Sequence, residues 1–191
     1  MTNEQMTLFD APRATIGLIT HDGRAIERPA PRSPPPFNRT PGDGISWAEW
    51  SWNPVTGCLH GCDYCYARDL SYSPRLAPYY PFGFAPTFHP ERLPSPRVRP
   101  VPKLAGVNPA LRRVFVVSMG DLYGSWVPDE WLDRIHGAMR DNPQWQYITL
   151  TKFPSRYGLK PPPPGAWVGT SVDEQNRVRI AERAMARRYG G

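Results

Sequence analysis

Asn53-Pro-Val-Thr-Gly57-Cys58-Leu-His-Gly-Cys62-Asp-Tyr-Cys65 gathers every cysteine of the 191-residue chain into eight positions, spaced C-x-x-x-C-x-x-C. The residues before Cys58 read as a short strand over 53–57, and those from Tyr66 to Ser73 as a short helix. The cysteines therefore sit on a loop where a strand ends and a helix begins, as expected of an α/β protein with chemistry at its strand ends. An odd number of cysteines this tightly grouped is a poor disulfide framework and points to metal binding or redox chemistry. Three thiolates from one loop can hold three irons of a [4Fe–4S] cubane and leave the fourth iron open to a small ligand. Gly57 and Gly61 allow the backbone to curl closely around such a cluster, with loop N–H groups turned toward its sulfurs. Two other readings stay open. A zinc ion would need a fourth ligand, for which His60, His21 and His89 are the candidates. Cys62 and Cys65 could instead form a thiol–disulfide pair.

Further along the chain, Arg113-Val-Phe-Val-Val-Ser118 is the continuous apolar run of a buried parallel strand. Residues 127–141 predict a helix: Pro128 suits its first turn, Asp129 and Glu130 its positive end, and Trp131, Ile135 and Met139 fall on one face. Gln146–Thr151 reads as a third strand and Ala166–Ser171 as a fourth, with a final Arg-rich helix from Asp173 to Arg188. Residues 74–110, rich in proline and aromatics, show no period and read as an irregular excursion. Strands alternating with helices or long crossovers imply parallel pairing, here part of an α/β barrel. Its C-terminal strand ends would carry Cys58, Gly120, Asp121, Thr151, Lys152 and Ser171.

Residues 1–43 read as a weakly ordered, proline-rich leader in which only Ile16–Ile19 has the character of an edge strand. Residues 44–191 form the globular domain, opened by Trp47, Trp50 and Trp52, which read as core or lid packing rather than a ligand cage. The formal charge of +6 admits a nucleic-acid partner. Arginine supplies 20 of the 23 basic residues and proline numbers 25, a bias a GC-rich genome would also produce. No apolar run reaches the roughly 20 residues that span a bilayer, and the N-terminus lacks the layout of a secretory signal. A cytoplasmic protein without membrane contact is the expectation.

The cysteine spacing, with Tyr64 just before the third cysteine, resembles the radical S-adenosylmethionine (SAM) superfamily. Trp52-Asn-Pro-Val-Thr-Gly-Cys58, Phe88-His-Pro-Glu-Arg-Leu93, Ser118-Met-Gly-Asp-Leu122, Val127-Pro-Asp-Glu-Trp131, Leu150-Thr-Lys152 and Trp167-Val-Gly-Thr-Ser-Val172 look similar, in order, to its phage-associated three-cysteine-motif relatives, whose substrate is not established. The resemblance implies a partial (β/α) barrel of the radical SAM type and a [4Fe–4S] cluster on Cys58, Cys62 and Cys65. The open iron would hold the amino and carboxylate groups of SAM, and one electron from a donor would cleave SAM to a 5′-deoxyadenosyl radical. Tyr64 would then lie near the adenine. Gly120 and Asp121 would match the glycine-and-acid motif that meets the SAM amino group. Thr151 and Ser171 would bond its ribose or carboxylate, with Lys152 a further contact.

Members of the superfamily typically use six strands, whereas four are legible before Gly191. A truncated chain, or a partner or second copy completing the barrel, is therefore expected. The sequence reads as a SAM-dependent radical enzyme or a remnant of one, with unknown substrate and catalytic residues. The alternative is a zinc-stabilised or metal-free protein that contacts nucleic acid or a partner protein.

Overall fold

The structure is a computed structural model and describes residues 15–31, 37–39, 45–173 and 175–189. It opens with a hairpin, β1 (Thr15–Thr20) and β2 (Ala25–Pro29), within the segment read from sequence as a leader; β1 covers the Ile16–Ile19 stretch read as an edge strand and lies between β2 and a later strand. The hairpin has a local cause. Gly23 takes φ 85° in the turn, and Thr20 Oγ1 accepts the Arg24 N–H at 2.9 Å. Leu18 and Thr20 turn inward along β1 and are buried. The remaining leader residues, 1–14, 32–36 and 40–43, lie outside the described set.

β3 (Asn38–Arg39) pairs antiparallel with β4 (Trp50–Trp52). The single strand expected over 53–57 is reduced to the two residues of β5 (Val55–Thr56), with β4 lying before it. β4 belongs to the main sheet, the chain turns away at Asn53-Pro54, and β5 joins a second sheet. Pro54 has no N–H with which to continue a ladder. After the cysteine loop come α1 (Tyr66–Ser71), β6 (Thr87–Phe88) and the one-turn α2 (Ser95–Val98), with short 3₁₀ turns between them. The expected excursion over 74–110 thus contains β6, which pairs with both β1 and β5.

β7 (Arg113–Val116), α3 (Asp129–Arg140), β8 (Gln146–Thr151), the short α4 (Arg156–Leu159), β9 (Trp167–Thr170) and α5 (Gln175–Tyr189) complete the chain. The main sheet runs β3-β4-β7-β8-β9, the last four parallel, and the second runs β2-β1-β6-β5. The fold is mixed α/β with two sheets, and no closed barrel forms among the described residues.

α3 packs its buried Trp131, Leu132, Ile135 and Met139 into the core beneath the sheet. Each such side chain contributes about 1.5–3 kcal/mol relative to exposure. Arg156 of α4 braces the entry to this helix, donating to the carbonyls of Gly124 and Val127 and pairing with Asp129 at 2.8 Å. Three core tryptophans keep their N–H groups satisfied: Trp50 donates to the Leu111 carbonyl, Trp52 to Arg92 and Trp145 to Pro96. Among the described residues no helix is long and apolar enough to cross a membrane.

Candidate functional site

The parallel strands bring Asn53, the segment 117–121, Lys152 and Ser171 to one edge of the sheet, and the cysteine loop is tied to that edge by backbone. The Gly57 N–H donates to the Met119 carbonyl at 2.8 Å, and a parallel bridge joins Gly57 to Gly120. The Cys58 N–H donates to the Phe84 carbonyl at 3.2 Å. On the facing side Asn53 Oδ1 accepts the Met119 N–H at 2.9 Å and the Ser118 hydroxyl at 3.2 Å. Val117 makes the turn out of β7 with φ 62°, a left-handed conformation unfavourable for a β-branched residue, while its side chain is fully buried.

Cys58, Cys62 and Cys65 are unpaired, partly buried thiols that line a single cavity of about 350 Å³. Tyr64, Gly120, Asp121, Thr151 and Ser171, the residues named from sequence for SAM, line the same cavity, as does Lys152. Trp47 and Phe115 form an apolar wall, with ring centroids 4.7 Å apart. Burial pushes the Cys58 thiol up to about 12, opposed by a backbone hydrogen bond from His60 and reinforced by Asp121 and the other two thiols. A thiolate here needs a cation beside it.

Asp121 is more heavily engaged than the sequence suggests. Its Oδ1 accepts the Tyr123 N–H at 3.0 Å, and its Oδ2 accepts the Lys152 N–H at 3.0 Å. The same Oδ2 lies 3.0 Å from His60 Nε2. One buried carboxylate therefore joins the ends of β7 and β8 to the cysteine loop. The His60 ring is stacked on Phe153 and meets Trp126 edge-on, both at 5.0 Å. The Thr151 hydroxyl accepts the Phe153 N–H at 2.9 Å, and the Ser171 N–H donates to the Thr151 carbonyl at 3.0 Å.

Lys152 reaches across the cavity mouth. Its ammonium is 3.1 Å from Cys62 Sγ and 2.9 Å from the Tyr64 hydroxyl, and it pairs with Asp173. Burial opposes its charge, but Asp173, Tyr64 and Cys62 outweigh that and hold the ammonium above its ordinary range. Tyr64 is 68% exposed, and its hydroxyl donates to Asp173 at 2.6 Å.

Of the three histidines weighed as zinc ligands, only His60 lines this cavity. His89 is fully buried elsewhere, with Nε2 2.9 Å from Thr56 Oγ1 and Nδ1 3.3 Å from Glu91. Among the described residues no three His, Cys, Asp or Glu side chains converge as ligands of one metal ion. A cubane asks for something different, since each thiolate takes a different iron.

Sequence reasoning did not assign the roles of Asn53, which anchors the 118–119 backbone, or of His60 as partner to Asp121. Neither role has a spacing signature, because each depends on residues more than 60 positions downstream.

A model of the family described as "Protein of unknown function (DUF5131)" matches residues 42–187. No curated protein and no solved structure matches the chain.

Proposed function

We propose that this chain, which belongs to the DUF5131 family of proteins of unknown function, is a [4Fe–4S]- and SAM-dependent radical enzyme. The observation that carries the reading is that three thiols of one eight-residue loop and the five residues named for SAM share one cavity at the parallel strand ends. What supports the cluster is the kind and placement of the donors, three free thiols of one loop that line one cavity. When bound, the cluster would supply the electron that cleaves SAM.

The protein's own part is binding, orientation and exclusion of water. Cys58, Cys62 and Cys65 would each hold one iron. Asp121 fixes the loop against β7 and β8 through its contacts with Tyr123, Lys152 and His60. Gly120, Thr151 and Ser171 line the cavity beside the thiols. Trp47 and Phe115 keep one wall apolar, which favours a dry site. Tyr64 would meet the adenine ring, and Lys152 would exchange its Asp173 contact for a ligand carboxylate.

Iron, sulfide and zinc analysis of anaerobically reconstituted protein, followed by a SAM-cleavage assay, tests the reading. A brown protein with broad absorption near roughly 400 nm and about four irons per chain is expected. A colourless protein holding stoichiometric zinc would overturn it in favour of a zinc-stabilised binding protein.

A further inference from the structure

A second, larger cavity of about 510 Å³ lies on the other side of the Ser118-Met119 backbone. Ser118 lines both cavities, so the two chambers share one wall. That wall is held from both sides: Asn53 grips the Ser118 hydroxyl and the Met119 N–H, and the Tyr66 hydroxyl donates to the Ser118 carbonyl at 2.5 Å.

The lining of the second chamber is electropositive. It contains Arg75 and Arg92, the phenols Tyr79 and Tyr80, and the hydroxyl of Ser95, with no Asp or Glu among the described residues. Arg92 spends one nitrogen on the Asn53 carbonyl at 2.8 Å, and its Nε is 3.6 Å from Glu91. Glu91 is shared: the same Oε1 pairs with Arg28 at 3.2 Å and faces His89 Nδ1 at 3.3 Å. Burial holds His89 down to about 4, so it is neutral near pH 7 and adds no charge. One carboxylate thus stands against Arg28 and Arg92, while Arg75 makes no hydrogen bond or ion pair among the described residues. Two guanidinium forks with phenol donors beside them suit a planar or tetrahedral oxyanion. The chamber's volume suits a molecule of nucleotide size.

We propose that this second chamber belongs to the substrate site and holds the phosphate or carboxylate group of a small molecule through Arg75 and Arg92. Calling the ligand a substrate rests on the reading of the thiol cavity as the cofactor site, whereas the binding of an oxyanion does not.

Calorimetry on the full chain under argon tests it, with inorganic phosphate, adenosine monophosphate and succinate as separate probes. Arg75→Gln is the primary variant, because Arg75 is exposed and unpaired and its loss leaves the fold's hydrogen bonds in place. Arg92→Lys is the second, keeping the charge but not the fork. Binding of at least one probe at millimolar concentration or below is expected, weakened about tenfold or more by Arg75→Gln at an unchanged melting temperature. Tighter binding of inorganic phosphate and the nucleotide than of succinate assigns a phosphate ligand, and the reverse order assigns a carboxylate. Protein that loads its cluster but binds none of the three probes, or binds one unaffected by either arginine variant, overturns the assignment. Protein that binds a probe through the arginines but loads no cluster retains the oxyanion site and removes its role as substrate chamber of a radical enzyme.

Discussion

Gly57 and Gly120 meet backbone to backbone, so closely that a Cβ on Gly120 would stand 2.6 Å from the Gly57 carbonyl oxygen. A Cβ on Gly57 would collide with the Ala85 carbonyl, and Gly57 also holds φ 86°. The cysteine loop can be pressed against the end of β7 only because Gly120 has no side chain, and against the Phe84–Ala85 backbone only because Gly57 has none.

Gly57→Ala should therefore cost on the order of 2–4 kcal/mol, combining left-handed strain with a backbone clash. Gly120→Ala, clashing without positive φ, should cost about 1–3 kcal/mol. Urea denaturation with iron analysis of each variant checks this. Wild-type midpoints in both would mean that the loop is not fixed by this contact.

Replacing Cys58, Cys62 or Cys65 singly by Ala should abolish stable cluster loading while leaving far-ultraviolet circular dichroism unchanged. Each thiolate is assigned a different iron, and none of the three side chains is fully buried. Full loading in all three variants would end the cluster assignment.

Asp121→Asn places an amide N–H₂ or C=O where a carboxylate now accepts from Tyr123, Lys152 and faces His60. An amide cannot satisfy all three, so a loss of about 1.5–3 kcal/mol in stability is expected. SAM affinity, measured by calorimetry, should fall as well, because the same carboxylate lines the cavity. An unchanged melting temperature with weakened SAM binding would make Asp121 a ligand contact alone.

His136 lies in the core with its Nε2 2.9 Å from the Tyr123 hydroxyl, and burial holds its imidazole down to about 4, with Arg140 acting in the same direction and Asp133 against. The folded state thus disfavours the protonated form that the unfolded chain takes up below its ordinary value of 6.5. The sign follows: the stability is fully present above about pH 6.5 and is lost as pH falls toward 4, about 3 kcal/mol in all. Denaturation midpoints across that window should fall more steeply in wild type than in His136→Gln. Parallel curves would show that other groups carry the acid sensitivity.

The elements that the sequence made legible are those whose signal is local. The apolar run at Arg113–Val116, the 3.6-residue face of α3 and the strand at Gln146–Thr151 each lie within one segment and appear where the pattern puts them. The gathering of the three thiols was legible for the same reason. The N-terminal hairpin was obscured by its proline-rich neighbours, although Asp22-Gly23 is a turn signal in its own right. The parting of β4 and β5 into two sheets could not be read, because β5 is drawn aside by β6, some thirty residues on. Arg75 and Arg92 likewise face one chamber only through the path of the excursion between them, which no periodicity encodes.

The contact between Cys62 and Lys152 spans 90 positions of chain, and this has a consequence in time. At about 5–20 residues per second, synthesis needs roughly 5–20 s to progress from one to the other. Through that interval the nascent thiols lack the lysine that later crosses the cavity mouth. They also lack Asp121 for most of it. The fold's own protection of these thiols is therefore incomplete until the downstream strands arrive, and the loop takes its final surroundings only after Lys152 has been made.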